Sequence, residues 1–191
     1  MFESLTQRRY LLPFKAARLP HQVCDVLVIG AGVAGLRAAI AAAEGGADES
    51  NTWYAQGGIA AVLQPLDSFE SHIRDTEIVG VGLCDESSVK IVVEEGAQRV
   101  VELLSWGANF DKQQGNAYDL AFGREGGHSF ARILHAYGDA TGRELAQTLI
   151  NRVHHSDQIR ISEKSFAIDL ISLEGACVGA LALTSLQILI I

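Results

Sequence analysis

The sequence predicts an α/β protein, on three observations. The run Asp25-Val26-Leu27-Val28-Ile29 is short and apolar, as expected of a strand buried on both faces of a parallel sheet. Gly30-Ala31-Gly32-Val33-Ala34-Gly35 follows at once and opens an Ala-rich stretch of helical character. The rest alternates capped amphipathic helices with strand-like runs, without internal repeat or linker. The chain has 191 residues, 48% hydrophobic and 20% charged, which sets aside disordered, collagenous and disulfide-scaffold classes. Its net charge of −8 argues against nucleic acid as a partner, because phosphates recruit basic faces. Cys24, Cys84 and Cys177 are odd in number and form no CxxC pair. That usage, with no export signal, points to a reducing, cytoplasmic location and to no structural zinc.

Taken in order, residues 1–22 read as an N-terminal extension and 23–191 as one partial nucleotide-binding domain. In the extension Glu3 stands against Arg8, Arg9, Lys15 and Arg18, and Pro13 and Pro20 break any long helix. The Ala-rich helix runs from the glycine turn to about Glu44, where Gly45-Gly46 can end it. Asp67-Ser68-Phe69-Glu70 has the form of a capping box opening a helix toward Val79. Asp85 caps a longer helix with Val89, Val92, Val93, Val100, Leu103 and Leu104 on its apolar side. Thr141-Gly142-Arg143-Glu144 reads as a second capping box, before a helix that buries Leu145, Leu149, Ile150 and Val153. Phe166–Ser172 and Cys177–Leu183 are hairpin strands about a Glu174-Gly175 turn, and Leu186–Ile191 is a third strand. Gly175 to Ile191 carries no charge, but with Thr, Ser and Gln inside 17 residues it reads as buried strand, not as a membrane span of about 20 residues.

Gly30-x-Gly32-x-x-Gly35 between strand and helix is the dinucleotide fingerprint of a Rossmann-like fold. Gly30 permits the tight turn, Gly32 lets backbone amides reach a pyrophosphate, and Gly35 lets helix and strand pack closely. The helix N-terminus then presents about half a positive charge to the phosphates. The second parallel strand is missing. After Gly46 the chain reads Ala47-Asp48-Glu49-Ser50, with no apolar run. Glu49 stands 19 positions past Gly30, where an acid would hold a ribose, but no strand places it. About ten residues, a strand and a turn, are expected to be absent.

Four stretches in order, VCDVLVIGAGVAGLRAAIAAAEGGA, SNTWYAQGGIAAVL, GREGGHSFARILHA and GDATGRE, resemble the N-terminal third of the L-aspartate oxidase family, flavoproteins of the succinate dehydrogenase/fumarate reductase superfamily. The likeness runs from about Cys24 to Leu183. It implies an incomplete Rossmann-like FAD-binding fold, lacking the second parallel strand and the C-terminal part. It also implies FAD held noncovalently, since Asn51 stands where covalent relatives carry histidine. The cofactor-binding residues it implies are Gly30, Ala31, Gly32, Val33, Ala34 and Gly35 at the diphosphate, with Asn51, Thr52, Trp53, Tyr54, Ala55, Gln56, Gly57 and Gly58 around the flavin. Without the motif, Trp53 and Tyr54 would read as core packing.

Glu125, in Arg124-Glu125-Gly126-Gly127-His128-Ser129, matches the acid that orients the substrate; without the motif it would read as a solvated loop residue. A carboxylate there suits an ammonium that a plain dicarboxylate lacks. Asp139 and Arg143 are expected to fix the loop and helix start. The reaction implied is oxidation of L-aspartate to iminoaspartate in de novo NAD synthesis, with quinolinate synthase as a pathway partner. No catalytic residue is matched within the chain, because the family's proton-transfer arginine and further substrate ligands lie in later segments. The chain alone is therefore expected to be incompetent. Two alternatives stay open: a truncated inactive fragment, and a dinucleotide-binding module without oxidase activity. His21, His72, His128, His135, His154 and His155 show no metal-ligand spacing, and no GxSxG elbow is present.

Overall fold

The computed structural model describes residues 11, 13–30, 32–42, 51–115, 119–184 and 187–191. Four helices are present among them: α1 (Val33–Ala42), α2 (Phe69–Gly80), α3 (Glu86–Ser105) and α4 (Thr141–His154). Three two-residue strands, β1 (Ile59–Ala60), β2 (Phe122–Gly123) and β3 (Ile133–Leu134), form a small antiparallel sheet in the order β1-β3-β2. A second antiparallel sheet runs β4-β5-β6, from β4 (Phe166–Leu173), β5 (Ala176–Leu183) and β6 (Ile188–Ile190). The β4–β5 turn places Glu174 and Gly175 at φ of 50° and 84°, the left-handed pair that a two-residue hairpin loop requires.

The strand expected over 25–29 does not form. These residues are irregular, with Val26 58% and Ile29 52% exposed. A strand buried on both faces needs a parallel neighbour on each side, and no strand of the described residues pairs with this run. The chain is thus a mixed helix and sheet fold, and its one parallel pairing among the described residues is an isolated bridge between His21 and Ile190. Gln22 N donates to Ile190 O and Ile190 N to Pro20 O, so the segment before Val23 lies along β6. Glu49 and the helix stop at Gly45-Gly46 lie outside the described residues, as does Ala31.

The core joins α1, α3 and α4 to the small sheet. Leu36, Val100, Leu103, Phe110, Leu134, Leu149, Ile150 and Val153 are buried together, with Trp53, Leu104, Trp106 and Leu145 packed at its margin. Val92, expected on the apolar side of α3, is exposed, because the buried stripe passes through Val93, Val100 and Leu103. Asp85 caps α3 by accepting from Ser88 N at 2.7 Å.

The two capping boxes resolve differently from expectation. Ser68, not Asp67, caps α2, accepting from Ser71 N at 3.1 Å. At α4 no side chain caps the helix. Thr141 Oγ1 instead accepts from Ala136 N, and Glu144 Oε1 from Asn109 N. Asn109, 35 residues away, takes Glu144, and the loop before α4 takes Thr141.

Asp67 is diverted by Arg132, which is 1% exposed. Its guanidinium donates to both Asp67 oxygens at 2.8 and 2.7 Å, to Asp75 Oδ2 at 2.6 Å and to Ser71 Oγ at 3.1 Å. Asp75, on α2, also accepts from the amide and hydroxyl of Ser129, at 2.7 and 2.6 Å. Burial pushes the Asp75 carboxyl upward, but the Ser129 bonds and Arg132 outweigh it and hold the pKa at about 2. Asp67 is lowered as well, burial opposing and the Arg132 bond prevailing. His72, beside them, has its pKa lowered by burial and by Arg132, and its Nδ1 is buried without a hydrogen-bond partner.

Arg132→Met strands two carboxylates and should lower the unfolding free energy by about 3–5 kcal/mol, measured by urea denaturation at neutral pH. His72 and Asp75 both shape the acid limb of stability. His72, with its folded pKa below the ordinary 6.5, costs stability as the pH falls below that value, because the unfolded chain takes up a proton the folded chain resists. Asp75 contributes fully above 3.8 and is lost as the pH falls through about 2. Urea midpoints of the parent chain should therefore decline as the pH falls below 6.5, and those of His72→Leu should decline less.

Candidate functional site

The glycine turn and the start of α1 build one edge of the site. Gly30 has a φ of 111°. A Cβ on Gly35 would run into the Gly30 carbonyl, so the helix approaches the preceding turn as closely as backbone allows. Leu36 N donates to Gly32 O at 2.9 Å, closing the first turn. Val33 N donates to Thr52 Oγ1 at 3.2 Å, so two motifs 19 residues apart meet at one helix N-terminus. Ala34 is exposed beside them.

Residues 51–55 form a turn closed by Ala55 N to Thr52 O at 3.1 Å. The N-terminus of α4 is pressed against it: Gly142 N donates to Ala55 O at 2.9 Å, and a Cβ on Gly142 would strike Thr52 O and Ala55. Trp53 packs at the core margin with the Arg143 guanidinium 5.4 Å from its ring centroid. Tyr54 is 67% exposed, so core packing does not account for it. Gln56 Nε2 reaches Asp139 Oδ2 at 3.5 Å. Asn51 and the run Tyr54 to Gly57 are open to solvent.

Gly58 is required by packing: a Cβ there would collide with Ile133, Leu134 O and His135 Nε2. Gly57 has open space around it. Glu125 lies on the exposed loop between β2 and β3, and its Oε1 is 2.9 Å from His135 Nε2. Asp75 anchors the same loop through Ser129, and Gly127, at a φ of 86°, lies where a Cβ would meet Val79 of α2. Sequence reasoning missed His135 as a partner of Glu125, and it missed the Arg132 cluster. The one available signal was a lone Arg within Ala131-Arg132-Ile133-Leu134.

The site offers helix N-termini, a hydroxyl, glycine backbone and one exposed carboxylate. The helix N-termini and glycine backbone suit an anionic phosphate group. Among the described residues, no cluster of His, Cys, Asp or Glu could hold a metal ion, and no helix is long and apolar enough to cross a membrane.

The profile of the FAD binding domain matches residues 25–187. The chain is 48% identical over 157 residues to chloroplastic L-aspartate oxidase of Arabidopsis thaliana, covering 78% of this chain and 24% of that protein. It is 44% identical over 164 residues to L-aspartate oxidase of Vibrio cholerae serotype O1, covering 80% and 30%. Among solved structures, Mycobacterium smegmatis Sdh1 in complex with UQ1 superposes at TM-score 0.79 with 29% identity, over 90% of this chain and 33% of that one. The E. coli quinol fumarate reductase FrdA superposes at 0.74 with 32% identity, over 81% and 28%. The chain thus spans roughly a quarter to a third of the length of these relatives.

Gly35→Ala and Gly142→Ala should each cost about 1–3 kcal/mol, because backbone must move. Gly57→Ala should stay within about 0.5 kcal/mol. Urea denaturation of the three variants side by side checks this ordering.

Proposed function

This chain belongs to the FAD binding domain family, with FAD as its cofactor, and from that premise we propose that it is the FAD-binding part of an L-aspartate oxidase, forming iminoaspartate for de novo NAD synthesis. The observation that carries the proposal is the meeting of the glycine turn and the Thr52 loop at the start of α1, with Glu125 on a loop bonded to His135, whose ring lies against Gly58. The 44–48% identity to the two L-aspartate oxidases supports the choice of substrate.

In this reading Gly30, Ala31, Gly32, Val33, Ala34 and Gly35 hold the diphosphate with backbone amides and the α1 dipole. Asn51 to Gly58 lie along the flavin, with Gly57 giving close backbone access and Asn51 leaving the attachment noncovalent. Bound FAD supplies the acceptor for the hydride that leaves the substrate α-carbon. Glu125 orients L-aspartate by accepting from its ammonium, a charge-assisted bond that succinate cannot make. Binding and orientation are the work of these residues. Proton transfer from the α-amino group is left to groups outside them, so turnover requires the remaining length that the relatives possess. The product passes to quinolinate synthase, and the free Cys24, Cys84 and Cys177 agree with a cytoplasmic setting.

A second reading, a dinucleotide-binding module without oxidase activity, draws support from the irregular, half-exposed 25–29 segment. One experiment separates the two. Purified full-length chain incubated with FAD should retain the flavin colour through gel filtration, and L-aspartate should perturb its visible spectrum. With oxygen excluded, L-aspartate should bleach it once the C-terminal part of a relative is supplied. A polypeptide that stays colourless in excess FAD overturns the proposal, and colour without response to L-aspartate favours the second reading.

A further inference from the structure

The Glu125 loop is exposed, and a carboxylate on a solvated loop samples several rotamers unless something holds it. The structure supplies that hold. His135 directly follows β3, and its carbonyl accepts from Asp111 N at 2.8 Å, which fixes the backbone beneath the ring. The imidazole occupies a slot between two glycines. A Cβ on Gly58 would stand 2.9 Å from Nε2, and one on Gly123 would stand 3.3 Å from Cε1 and 3.5 Å from Nδ1. A side chain at Gly58 would strike the ring, and one at Gly123 would crowd it. From that slot Nε2 reaches Glu125 Oε1 at 2.9 Å.

We infer that His135 is a positioning residue: it donates Nε2–H to Glu125 Oε1, aims the carboxylate beside the Gly57-Gly58 turn and so sets a preference for amino dicarboxylates over plain dicarboxylates. The inference rests on the reading of this site given above. A carboxylate accepts and cannot donate, so the bond requires the proton on Nε2. It occupies Oε1, and Oε2 is the atom that faces a ligand ammonium. Because the side chain is tethered before the ligand arrives, less ordering entropy is lost on binding. A succinate-like ligand gains nothing from the tether, because its α-carbon carries no donor for Oε2.

The test uses the full chain loaded with FAD and isothermal titration with L-aspartate and with succinate. Three variants separate the tether from mere packing. His135→Phe keeps a ring in the slot and removes the donor. His135→Gln places an amide N–H near the position of Nε2, and His135→Asn reaches only that of Nδ1. His135→Phe should weaken L-aspartate binding by about tenfold, the scale of one hydrogen bond to a charged group, and leave succinate affinity unchanged. Gln should restore most of the preference and Asn should not. If His135→Phe fails to fold, the Gln and Asn variants decide between them. A His135→Phe variant with the parent ratio of affinities, or Asn restoring as well as Gln, overturns the inference and leaves the proposed function standing. A parent chain that binds FAD but prefers neither ligand overturns both.

Discussion

The buried Arg132 ion cluster is the constraint on which the site depends. One guanidinium joins the stretch before α2, through Asp67, to α2 itself, through Ser71 and Asp75. Asp75 in turn holds Ser129, at the far end of the loop that carries Glu125. Gln64 Nε2 bonds the carbonyl of Ala131, so the same region is tied on its other side. A buried cation without partners would be very costly, and here its two carboxylates and a hydroxyl compensate it. The β2–β3 loop is therefore fixed at its base while Glu125 near its start stays exposed.

Close approach of backbone accounts for the rest of the site. Gly35, Gly58 and Gly142 each sit where a Cβ would strike a carbonyl, and none of them has positive φ. They are glycine because elements touch: α1 against its own turn, the Gln56–Gly58 loop against β3, α4 against the Thr52 turn. These three contacts, with the Val33–Thr52 bond, link the turns around 30 and 55 to α4 and the 58 loop to His135. Gly57 is free of such contacts, with open space around it.

Patterns that depend on near neighbours were legible in the sequence. The hairpin of β4 and β5 with its Glu174-Gly175 turn, the Asp85 cap and the course of α1, α3 and α4 follow from periodicity and turn chemistry over a few residues. Side chains that had a choice of partner were not legible. Asp67 and Glu144 abandon the caps that local spacing suggested, because Arg132 and Asn109 offer them partners far along the chain, and Thr141 turns instead to the amide of Ala136 in the loop before α4. The Asp25–Ile29 run has the composition of an interior strand. Composition cannot supply the flanking strands that would bury it.

By itself, then, the sequence determined the fingerprint turn, the helices with most of their apolar faces, and the C-terminal meander. Each is set by forces acting within about one turn or one hairpin. Only the tertiary structure decided that Val33 meets Thr52, that Arg132 binds two acids on either side of Ser68, and that His135 stands between two glycines facing Glu125. The hydrogen-bonded pairs among them span 10 to 65 residues. They depend on which surfaces the core brings together, and that is a property of the packed chain as a whole.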